Sequence, residues 1–156
     1  MSNPNANWTR WILASISKHI DARKEGLNLF IEGQHRKTEG ETSYLELRYQ
    51  GPNLAEVSKG YWQVNVSVNM LIVTIMDDEN WHDHVTNVGI AQAAFTTIFV
   101  YKYGSKAGDD SSLLGCLKLV DAGREPIETS NFGQIDPNVK VQETTVEGHY
   151  ELELSV

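Results

Sequence analysis

GYWQVNVSVNMLIVTIM, residues 60–76, changes pattern halfway along its length, and that change decides the fold. From Trp62 to Val68 apolar residues (Trp62, Val64, Val66, Val68) alternate with polar ones (Gln63, Asn65, Ser67, Asn69), the period-2 signal of a strand with one wet face. From Met70 the run is apolar at nearly every position, as expected where both faces of a strand become covered. A continuous strand of this length would span about 55 Å, so a bend or a projecting half is expected.

Working outward, the stretch before it supplies a helix and two shorter strands. Met1 to Ala6 reads as a flexible tail. Asn7 to Glu25 places Trp8, Trp11, Ile12, Ile16 and Ile20 on one helical face, with Asn7 as N-cap and Gly26 as the stop. Trp8, near the free end, is a candidate anchor for a neighbouring subunit as well as a core residue. LNLFIEG (27–33) and YLELRY (44–49) read as half-buried strands joined by a polar loop over 34–43. Gly51 and Pro52 break the second strand, and Asn53 with Glu56 is expected to cap one helical turn before Gly60.

Beyond Met76, Asp77, Asp78 and Asn80 are cap candidates for a second helix whose buried face would carry Trp81, Val85, Val88, Ala91 and Ala94 or Phe95, with Gly89 allowing close packing. Its His82 and His84 lie beside acidic residues, but residues two apart on a helix point about 200° apart, which argues against a shared metal and for a solvated helix start. TTIFVYKY (96–103) and 113–120 are strands separated by a Gly-rich turn, and Cys116 reads as a small buried hydrophobe. Residues 121–137 lack periodicity and read as an irregular arm with Phe132 as its anchor. In the last strand, 139–156, the apolar parity changes between Val141 and Val146, which implies a bulge near 142–145. One face of that strand carries Glu147, His149, Glu151 and Glu153.

The 156 residues fit one domain, and the expected architecture is α+β: a mostly antiparallel mixed sheet with an N-terminal helix and a second helix packed on one face, and long projecting strands or loops. A formal charge of -8 argues against a phosphate-gripping surface. No apolar run is long enough for a membrane helix, the first residues lack a signal-peptide pattern, and an intracellular protein is expected. No P-loop, dinucleotide glycine pattern, nucleophile elbow or zinc cluster is present, so no catalytic residue, cofactor or metal is assigned. Adjacent Asp109 and Asp110 read as solvated turn residues rather than an acid-base pair.

NWTRWILASISKHI, LFIEGQ, YLELRYQGP, the W-x-V-N-V-x-V-N strand, IFVYKYG, NFGQID and VEGHYELEL together resemble tail-terminator (tail-completion, neck) proteins of long-tailed bacteriophages. The resemblance implies a virion structural protein rather than an enzyme: a homo-oligomer, expected to be a hexameric ring, assembled in the host cytoplasm. It would cap the tail tube and join it to the head-neck connector or stopper, with DNA passing through unbound. From the strand pattern, Gln63, Asn65 and Ser67, with Trp8 and Phe132, are the interface candidates, and Glu147, Glu151 and Glu153 the candidates for lining the DNA channel. The alternatives are another head-tail connector or tube-like protein, or a small metal-dependent hydrolase using His82 or His84.

Overall fold

Residue 64 of the central strand, like 66, 68, 70 and 72, points into the core, and the fold follows from covering that parity. The computed structural model describes residues 3–31, 43–75, 81–103, 110–120, 125–130 and 141–156. Its elements are α1 (Trp8–Asp21), β1 (Asn28–Ile31), β2 (Ser43–Ser58), β3 (Tyr61–Ile75), α2 (Trp81–Ala94), β4 (Ile98–Tyr103), β5 (Asp110–Leu119), β6 (Ile127–Ser130) and β7 (Val141–Ser155). The strands form one sheet in the order β1-β2-β3-β7-β5-β4, with β6 joined to β7. Among the described residues only the β1–β2 pair is parallel. This is the expected α+β architecture with an N-terminal helix.

β3 and β7 are the spine. They pair antiparallel in a single register from Tyr61–Ser155 to Ile75–Val141, a ladder about 50 Å long, without the bulge expected in β7. The odd-numbered Val141 that suggested a bulge simply faces away from the core and is exposed, beside its partner Ile75. A bulge does occur, but in β2. Leu45, Leu47 and Tyr49 oppose the core residues Ile72, Met70 and Val68; after Gly51–Pro52 the register shifts by one, and Leu54 opposes Val64. Gly51 and Pro52 therefore do not end the strand: the extra residue flips its parity, and β2 runs on to Ser58. Gly51 has φ +97, and a Cβ there would lie 2.9 Å from both Asn53 N and Asn65 O, so the bulge needs glycine. The expected helical turn at 53–59 is instead a hairpin end in which Glu56 Oε1 accepts the Gly60 N–H at 3.3 Å.

Both helices cover the even face of β3 and β7. Trp8, Ile12, Ile16 and Ile20 of α1 join Leu45, Leu47, Val64 to Ile72 and Val146 to Leu154 in one buried cluster. Ser15 Oγ of α1 accepts the Tyr101 N–H at 3.1 Å where β4 is bulged against β5, and Ser17 bonds the Tyr49 hydroxyl. α1 ends at Asp21, before the expected Glu25, and the chain then turns, with positive φ at Glu25 and Gly26. Asn7 holds the cap position without a side-chain bond; Asn5 Oδ1 accepts the Asn7 N–H at 2.8 Å instead, which orders residues expected to be a loose tail.

The buried face of α2 is turned by one residue from expectation. His84, Asn87, Val88, Ala91 and Ala94 face the core, while Val85 is exposed, and Gly89 makes no close approach. A close approach occurs at Gly148 of β7, where a Cβ would meet the Phe95 ring at 2.6 Å. Part of the expected irregular arm is also regular: Ile127–Ser130 pairs with Thr145–Gly148. Cys116 is only half-buried, because Leu117 takes the inward position.

Candidate functional surface

The β3–β7 register brings two polar rows into one surface. Gln63 lies opposite Glu153, Asn65 opposite Glu151, Ser67 opposite His149 and Asn69 opposite Glu147, all on the face away from the helices. Gln63 Nε2 reaches Glu151 Oε2 at 3.5 Å, and Ser67 Oγ lies 2.9 Å from His149 Nδ1. The interface candidates Gln63, Asn65 and Ser67 and the channel candidates Glu147, Glu151 and Glu153 are thus one continuous patch. Two cations border it. Lys118 of β5 sits opposite Glu151, and Arg48 of β2 opposite Asn69. Arg48 pairs through Nε and Nη2 with Glu46 Oε1, each at 3.0 Å.

The remaining candidates separate. Trp8 is 3% exposed and belongs to the core, so it is not a surface anchor in this chain. Phe132, the loop over 34–42 and the cap candidates at 77–80 lie outside the described residues. His82 is on the exposed side of α2, whereas His84 is buried, which overturns its reading as part of a solvated helix start. His84 Nδ1 and Nε2 lie 2.8 Å from Thr74 Oγ1 and Thr144 Oγ1, and Asn87 Nδ2 donates to Thr74 Oγ1 at 3.2 Å. Burial pushes the His84 pKa below its ordinary value, so a neutral ring, with one nitrogen donating and one accepting, fits the two hydroxyls. It closes one end of the core and offers no nitrogen to a substrate.

His149 is the residue that the sequence pattern carried without a role. It sits on the outer face yet is 5% exposed, on a strand whose edge is flanked by β6 and by the chain at Pro126 and Val120. Its backbone N–H donates to Pro126 O at 3.0 Å, and its carbonyl accepts the Val120 N–H at 2.9 Å. Its side chain is flanked by Glu128 Oε2, 3.5 Å from Nε2, and Glu147 Oε1, 3.9 Å from Nδ1. The signal that finds it is parity: Glu147 and His149 share a face, and IETS is just long enough to add Glu128 from a neighbouring strand.

Three further surfaces stand out. Val57, Tyr61 and Val156 are exposed at the β2–β3 hairpin end, where Val156 N bonds Gly60 O at 2.8 Å; Ile75 and Val141 are exposed together at the far end. A groove between α1 and β4 is lined by Lys18, His19, Arg23, Phe99 and Tyr101. Burial and the nearby Arg23 charge hold the His19 pKa below its usual range. Among the described residues, no helix is long and apolar enough to cross a membrane. The chain matches no protein-family model, and no curated protein matches its sequence.

Proposed function

We propose that this chain is a ring-forming assembly protein of a long-tailed phage, a tail terminator that caps the tail tube and joins it to the neck, and that it carries no catalytic site. The observation that carries the reading is the edge of β2. β1 pairs only with Tyr44–Leu47, so among the described residues no strand covers the outer side of Arg48–Ser58. An uncovered edge of this length is a template for pairing with another chain. The opposite side of the sheet is built differently: α1 packs along β4, and Phe99 and Leu113 are exposed there. Two unlike sides favour a head-to-tail contact between copies, which closes into a ring when its rotation permits. The polar face of β3 and β7 then supplies a surface for DNA to pass without being gripped, since few of its charges are positive.

The test is the mass of the purified protein in solution. A closed ring gives a discrete species near six times the 17.5 kDa chain, whereas a monomer at all concentrations, in the presence and absence of tail tubes, contradicts the proposal. The passage role has its own test. Glu151→Lys with Glu153→Lys should slow genome ejection from reconstituted particles and make it salt-dependent; unchanged ejection from normally assembled rings would remove these residues from the path of the DNA.

A further inference from the structure

We propose that Glu128, Glu147 and His149 form a binding site for one divalent cation of the zinc class, which ties β6 to β7. The inference does not depend on the ring reading. One ligand atom from each of the three side chains lies within 4.8 Å of the other two. For metal–ligand bonds near 2.0–2.2 Å, donors of a single ion sit about 3–4 Å apart, so closing on one ion asks the side chains to draw in by up to about 1–2 Å.

The backbone holds this geometry. Glu147 and His149 are on one parity of β7, and the β6–β7 register sets Glu128 directly opposite Glu147. Like charges directly opposite on an antiparallel pair are destabilising, so a strand of only four paired residues has been built around a repulsion that a cation would convert into an attraction. The histidine is oriented independently of the carboxylates. Ser67, from the other neighbouring strand, lies 2.9 Å from Nδ1 and fixes the ring, and Nε2 faces Glu128 at 3.5 Å. In the tautomer in which Nδ1–H donates to Ser67 Oγ, Nε2 presents its lone pair on the Glu128 side, where it can ligate a cation. This is the arrangement by which an outer partner sets the tautomer of a metal-binding imidazole.

The donor set selects the ion. One imidazole and two carboxylates suit zinc, cobalt or manganese better than calcium or magnesium, which prefer all-oxygen shells. The ring is 7% exposed at its side chain but Glu128 is 44% exposed, so an ion can enter from the Glu128 side. Three protein ligands leave a position for water.

The experiment is titration of the metal-stripped full chain with Zn2+, and with Co2+ as a coloured probe, followed by hydrogen exchange at residues 127–130. One ion per chain is expected, with slower exchange in β6 on binding. Glu128→Gln, at an exposed position that leaves the fold intact, should weaken binding at least tenfold; Ser67→Ala, which removes only the orienting partner, should weaken it about tenfold. His82→Ala should leave it unchanged. No stoichiometric binding at millimolar Zn2+, or equal binding by Glu128→Gln, overturns the site.

Discussion

The two faces of the β3–β7 ladder share one backbone and one register but do opposite work. On the even face Val64, Val66, Val68, Met70 and Ile72 pack with Val146, Tyr150, Leu152 and Leu154 beneath the helices, and none is more than 4% exposed. On the odd face Gln63, Asn65, Ser67 and Asn69 meet Glu153, Glu151, His149 and Glu147 without a helix above them. Burying apolar side chains drives folding, so the even face specifies the structure; the odd face, the buried His149 aside, contributes less to stability and is open to contacts with other molecules.

The largest expected break in that contrast is Ile72→Asp. Placing an unpaired carboxylate at a fully buried position should cost on the order of 4 kcal/mol or more and leave little folded protein, as read by chemical denaturation. A stable, soluble Ile72→Asp protein would show that the even face is not the core. Next is Gly148→Ala, which forces a methyl against the Phe95 ring 2.6 Å away; overpacking of this kind should cost about 1–3 kcal/mol, and an unchanged midpoint would mean that α2 does not press on β7 as described.

A smaller effect should come from His84, the polar intruder on the even face. Its pKa is lowered in the folded chain, so the unfolded chain binds the proton more readily. Stability contributed by the neutral ring is therefore complete above the ordinary imidazole value of 6.5 and is lost as pH falls from there through the folded value. His84→Gln should flatten that part of the stability–pH curve, leaving a residual slope from His19, whose pKa is lowered in the same direction. An identical slope in the variant would place the titration elsewhere. The smallest effect belongs to the odd face: Asn65→Asp, at an exposed position, should stay within about 0.5 kcal/mol of the parent, and a larger loss would mean that this face is covered within the monomer.

Much of this division was legible in the residues. The alternation of Trp62 to Val68 and the 3-and-4 spacing of Trp8, Ile12, Ile16 and Ile20 describe faces that tertiary packing reinforces. The errors lie where a local rule met a partner distant in sequence. Gly51–Pro52 looks like a strand end because proline lacks an N–H, yet at a bulge that donor is not needed. Val85 looked buried and His84 exposed because hydropathy does not register two threonines, 10 and 60 residues away, waiting to bond an imidazole. Trp8 reads both as a core residue of the α1 stripe and, near the chain end, as a subunit anchor; its side chain completes the stripe. The outer surface was half legible: each polar row could be read from its own strand, but their union, the entry of Lys118 and Arg48, and the approach of Glu128 to His149 depend on pairing that no single strand reveals.

The most direct test of the assembly claim is electron imaging of the purified full chain mixed with phage tail tubes. The account predicts closed rings of uniform diameter in solution, the same rings seated at one end of each tube, and tubes that stop growing once capped. Monomers that never associate and tubes that lengthen regardless of the protein would contradict it.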